Sequence, residues 1–150
     1  NSKDNHFFKL LIRVILIVLC CILFIALIIF GMIYQRKMRL KRQEQHLKGE
    51  PKEALLYALS RMDALCEAEN LEKISTAADA AALQESFPTI TQEKLMWLQD
   101  LLQELTFSNH AYGTELRDET AQLYRDMASD ATARQSRLKR MWYRYGRCFC

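Results

Sequence analysis

The residues best suited to nucleophilic or metal chemistry in this 150-residue chain are His6, His46 and His110 with Cys20, Cys21, Cys66, Cys148 and Cys150. Cys66 and His110 could in principle form a thiolate and its base, but no third residue is indicated to orient them. Cys66 also falls on an apolar helical stripe, where a buried free thiol is the expected state. No His-x-x-x-His, Glu-x-x-His or Cys-x-x-Cys spacing occurs, so nothing has the ligand spacing of a metal site. The terminal Cys148-Phe149-Cys150 has no partners at zinc spacing and is not a prenylation box; palmitoylation near a membrane stays open. Four glycines, at 31, 49, 113 and 146, are too scattered for a phosphate-binding loop. The expectation is no enzyme, no cofactor and no metal within these residues.

The elements that position these side chains are dominated by one stretch. Residues 14–33, VILIVLCCILFIALIIFGMI, contain no charge and no strongly polar side chain. At about 1.5 Å per residue a helix of that length covers about 30 Å, the hydrocarbon thickness of a bilayer. A buried core helix is usually shorter and keeps a polar stripe. A signal peptide fits badly, because the run is too long, no small-residue cleavage pattern follows it and a basic cluster does. Arg36, Lys37, Arg39, Lys41 and Arg42 come directly after the run, against Lys3, Lys9 and Arg13 before it. Under the positive-inside rule the N-terminus lies outside and the C-terminal part is cytoplasmic, which sets the localisation at the cell membrane with a single span. The chain begins at Asn1 without an initiator Met, as expected of a segment of a longer protein with material on the outer side.

Beyond the span, few Gly and Pro, abundant helix formers and no alternating β-branched stretch predict an all-α domain. The expected architecture is one transmembrane helix followed by a small cytoplasmic bundle of three to four helices with a long last helix. Its parts are a short extracytoplasmic flank (1–9), the membrane helix (10–34), a basic juxtamembrane stalk (35–50) and the bundle with a basic, aromatic tail (51–150). The stalk continues the first helix until Gly49, and Pro51 suits the first position of the next. A helix over about 51–68 carries Leu55, Leu59, Met62, Leu65 and Cys66 on one stripe, with Arg61 among the residues facing water. A weaker, alanine-rich helix is expected over 76–85, capped by Ser75 or Thr76 and ended by Phe87-Pro88. Thr91 can cap a helix over about 92–107 built on Leu95, Leu98, Leu102 and Leu105. Thr114 can cap a last helix that holds one register for about thirty residues, through Leu123, Met127 and Leu138 to Tyr145.

Charge is segregated along the chain. Residues 53–130 carry five basic and fifteen acidic side chains, while residues 134–150 carry six basic and no acidic ones. Arg137, Lys139, Arg140, Trp142 and Arg144, with Tyr143, Tyr145 and Phe149, resemble an interfacial membrane-binding helix. They and the basic cluster at Arg36–Arg42 are the candidate membrane-interface residues, facing anionic inner-leaflet lipid. The competing arrangement, in which the tail packs on the acidic helices of its own domain, stays open. No RNP, KH or zinc-knuckle pattern accompanies the aromatics, so nucleic acid is not expected.

An apolar span, an immediate Arg/Lys cluster, Gly49-Glu50-Pro51 leading into EALLYALSRMDAL, and LQELTFSNHAYGTELRDETAQLY together resemble the C-terminal region of bacterial membrane-bound transglutaminase-like proteins. The family's turn pattern of an aromatic, Ser, an amide residue and His is matched by Phe107, Ser108, Asn109 and His110, although Thr106 stands where the family has a basic residue. The resemblance implies a last span leading to a cytoplasmic helical tail, with the family's catalytic Cys, His and Asp upstream of Asn1. The function expected is therefore a non-catalytic membrane anchor and interaction domain, with the lipid bilayer and an unidentified protein as partners. The alternative is a stand-alone single-span adaptor or signalling subunit of a membrane complex.

Overall fold

The computed structural model describes residues 1–149, and among them it is all-helical with no strand. Helix α1 (Ser2–Leu47) carries the whole apolar run and its basic flank without a break. It is long and apolar enough to cross a membrane, and none of its most apolar window is covered by the rest of the molecule. Two compact units divide the chain, Asn1–Lys37 and Met38–Cys150. The last turns of α1 thus belong to the second unit, where Gln43 and Leu47 are buried.

In that second unit α1 stops where Gly49 interrupts it. The freed carbonyls of Lys48 and Gly49 accept from Arg117 Nη1, each at 3.0 Å. A cation there suits the negative end of a helix. Pro51 then opens α2 (Pro51–Ala68), which needs no amide hydrogen at that position. Its stripe of Ala54, Leu55, Ala58, Leu59, Met62, Leu65 and Cys66 is buried. Helix α4 (Gln92–Phe107) starts where Thr91 accepts from the Lys94 amide at 3.2 Å, and it buries Leu95, Leu98, Leu101 and Leu105. Helix α5 (Thr114–Ala133) packs extensively on α2 through Ala121, Leu123, Tyr124, Met127, Ala128 and Ala131. Gly113, not Thr114, holds its N-cap position, with no side-chain cap.

Two elements depart from the periodicity. The alanine-rich segment forms only α3 (Ala81–Ser86), five residues later than the pattern predicts. Ser75 does not cap it, because its hydroxyl donates to Asp63 on α2 at 3.2 Å. Gln99 Nε2 donates to the Ile74 and Ala77 carbonyls, satisfying them outside any helix. Ala77 and Ala80 are buried in the core, so these alanines serve close packing more than helix propensity.

The long last helix is the second departure. It breaks at Arg134 and resumes as α6 (Arg137–Met141), followed by a π-helical turn over Trp142–Arg147. The Thr132 hydroxyl donates back to the Ala128 carbonyl at 2.7 Å, a local competitor of the ladder. Arg140 then folds onto the open end of α5, its guanidinium donating to the carbonyls of Thr132 (3.3 Å), Ala133 and Gln135 (both 3.5 Å). The break redirects the chain so that Tyr143 and Phe149 enter the core, edge to face with ring centroids 5.5 Å apart. A Cβ at Gly146 would lie 2.7 Å from the Trp142 indole, so any larger residue there would have to displace that ring.

Candidate functional site

The pairing of Cys66 with His110 does not form. His110 is exposed in the loop beside Lys52, whose ammonium donates to the Ser108 carbonyl at 3.4 Å. Cys66 lies fourteen residues further along α2, about 21 Å away at helical rise. Its thiol is fully buried and pushed up to about 12, first by burial and then by the charge of Asp63. A neutral, enclosed thiol is a poor nucleophile. Among the described residues no group of three or more His, Cys, Asp or Glu side chains could hold a metal. In the turn motif, the Ser108 amide ends α4 by donating to Glu104, the Ser108 hydroxyl accepts from the His110 amide at 3.2 Å, and the His110 ring meets Tyr112 edge to face. Phe107 stands 84% exposed, and Asn109 is exposed beside it.

Burial of acidic groups gives the bundle a defined alkaline limit. Tyr143 and Tyr124 are raised as well, both chiefly by burial, Tyr143 also by its hydrogen bond to the Glu69 carboxylate. All three groups keep their protons longer in the folded chain than in the unfolded one. Stability is therefore full below about pH 9, the ordinary thiol value, and falls as pH rises from there toward about 12. Between neutral pH and about pH 10, Cys66→Ala is expected to lose about 1 kcal/mol less stability than the parent, because pH 10 lies about tenfold in proton activity beyond the ordinary thiol value. Denaturant midpoints of the two proteins at both pH values measure this.

The candidate interface residues divide into those that face solvent and those that the domain uses. Lys37, Arg39, Lys41 and Arg42 are exposed on α1, and Arg36 is half-buried. On the tail, Arg137, Lys139, Trp142 and Arg144 are exposed, and Lys139 also sits 5.8 Å from the Tyr143 ring. Arg140 is the exception because it caps α5. Tyr143 and Phe149, expected at a membrane interface, are 1% and 3% exposed in the bundle core. On α6 and the turn, Leu138, Met141 and Trp142 project apolar surface instead. They are spaced three and four apart, on one face.

Sequence reasoning missed the cluster that joins the last turns of α1, the middle of α2 and the π-helical turn. Arg39 Nη1 donates to the Gly146 carbonyl at 3.2 Å, and Arg61 Nη2 donates to those of Arg147 (3.0 Å) and Cys148 (3.3 Å). Arg61, expected to face water, lies 4.9 Å from the Phe149 ring centroid. Beneath it Gln43 Nε2 donates to the Tyr124 hydroxyl at 2.8 Å. Arg39, Arg42, His46, Arg61 and Arg147 line an open cleft of about 380 Å³, with the stacked His46 and Tyr57 rings 4.9 Å apart on one wall. One signal was readable: Arg61 is the lone basic residue between 53 and 72, among five acidic ones.

No protein-family model, curated protein or solved structure matches this chain.

Proposed function

We propose that this chain is a non-catalytic, membrane-anchored interaction domain: α1 crosses the bilayer once with its N-terminus outside, and residues 38–150 form a cytoplasmic binding module. The observation that carries it is the uncovered apolar run of α1, whose Leu, Ile, Val and Phe side chains from 14 to 30 are 49–69% exposed. Water is an unfavourable neighbour for a continuous apolar surface of that size, and a bilayer is the natural one. The dense basic flank after the run supports the inside placement of the bundle. Carbonate washing of membranes tests the anchor: the chain should stay in the pellet until detergent is added, and release by carbonate alone would overturn it.

The reading includes the transglutaminase-like origin, in which chemistry resides in a domain ahead of the span. A reading frame with a Met directly before Asn1 and no upstream domain would remove that part and favour the stand-alone adaptor.

The tail extends the membrane contact. Leu138, Met141 and Trp142 form an apolar face flanked by exposed Arg137, Lys139 and Arg144, the pattern of a segment lying in the interface of an anionic leaflet. In nanodiscs containing anionic lipid with brominated chains, Trp142 fluorescence should be quenched. Arg137→Gln, Lys139→Gln and Arg144→Gln together should remove most of that quenching while Arg140 keeps α5 capped. Quenching unchanged by the triple variant would speak against lipid contact.

A further inference from the structure

We propose that the arginine cleft between α1, α2 and the π-helical turn binds a phosphate group, supplied by a lipid headgroup or by a soluble phosphate. Four guanidinium groups and one imidazole line it, and among the described residues no carboxylate does. Glu44, the acidic residue nearest in sequence to Arg42, is already engaged with Arg125 at 2.9 Å and Lys48 at 3.4 Å. Like charges gathered without a counterion among the described residues repel each other, and an anion in the cleft relieves this.

The donors are held in place rather than merely present. Arg39 and Arg61 are fixed by their bonds to the carbonyls of residues 146–148. Each of these bonds uses only part of a group that carries five N–H donors. Arg61 Nε is buried without a partner among the described residues. Arg42 and Arg147 make no side-chain hydrogen bond or ion pair with described residues and are exposed at the rim. Several forked donors around one cavity suit a phosphate, whose terminal oxygens accept paired N–H bonds, better than a single carboxylate. Fixed Arg39 and Arg61 would form the floor, and Arg42 and Arg147 would close on the anion from the rim.

The lipid source rests on the topology proposed above, whereas the site itself does not. The test uses the full chain in phosphatidylcholine nanodiscs. One arm titrates inorganic phosphate by calorimetry. The other replaces part of the lipid with phosphatidic acid, or with phosphatidylserine as a charge control, and follows the headgroup by phosphorus NMR. Arg42→Gln, at an exposed position without a side-chain partner among the described residues, should weaken the response about tenfold, and Arg42→Gln with Arg147→Gln should abolish it, both with an unchanged thermal midpoint. A saturable calorimetric signal alone assigns a soluble phosphate. A phosphatidic acid signal that depends on Arg42 and exceeds that of phosphatidylserine assigns the lipid. No saturable response in either arm, or a response that Arg42→Gln leaves intact, overturns the site. A chain that binds inorganic phosphate with its bundle outside the cell would refute the topology and keep the site.

Discussion

Tyr124→Ala is expected to lower the unfolding free energy of the bundle by about 3–5 kcal/mol, the range for removing a buried aromatic side chain. Tyr124 is 1% exposed on the face of α5 that meets α2. Its hydroxyl joins two otherwise separate parts of the chain, accepting from Gln43 on α1 and donating to the Phe149 carbonyl at 3.4 Å. Truncation leaves a cavity under Arg61, whose guanidinium lies 6.0 Å from this ring. Tyr124→Phe keeps the ring and strands the Gln43 amide, which is only 8% exposed. An unpaired buried polar group costs about 1–3 kcal/mol, so the phenylalanine variant should fall between parent and alanine. Loss of near-ultraviolet circular dichroism in denaturant orders the three proteins. Equal midpoints for Phe and Ala would show that the hydroxyl bonds, not the ring, hold the tail.

The second large effect concerns the span. The Leu, Ile, Val and Phe side chains of residues 14–33 together favour insertion by on the order of 4–8 kcal/mol, at about 0.3–0.6 kcal/mol each near the centre and less at the ends. One central arginine opposes this by about 2.5–3.5 kcal/mol. Leu23→Arg alone should therefore still insert, with reduced yield. Leu19→Arg with Leu23→Arg should bring insertion close to balance or beyond, moving most of the chain out of the carbonate-resistant pellet. For a helix that lives in water the same changes would be neutral or solubilising. A double variant that stays fully in the membrane would contradict the insertion arithmetic.

How much of this was legible follows from how local each determinant is. The bounds of α2 and α4 were readable because their signals are short-range: Pro51 at a helix start, Thr91 as a cap, and leucines three and four apart. The long apolar helix was readable for the same reason, as an unbroken apolar run. By contrast, α3 begins late because Ser75 bonds Asp63, twelve residues away, and Gln99 bonds carbonyls more than twenty residues away. No window of sequence contains those contacts. The register of the last helix truly continues past Arg134, so periodicity alone could not show that Arg140 would fold back and cap α5. The charge switch at that position did mark the break. The arginine cleft was hidden most deeply, since Arg39, Arg61 and Arg147 come from three distant segments and are joined by bonds from Arg39 and Arg61 to backbone carbonyls of the last turn.

A single crossing that leaves the helical bundle inside the cell is the central claim. The most direct measurement fuses a reporter after Cys150, in one version a fluorescent protein that matures only in the cytoplasm and in another a phosphatase active only outside. Bright fluorescence and no phosphatase activity are expected. Phosphatase activity with a dark fluorescent fusion would place the bundle outside and contradict the claim.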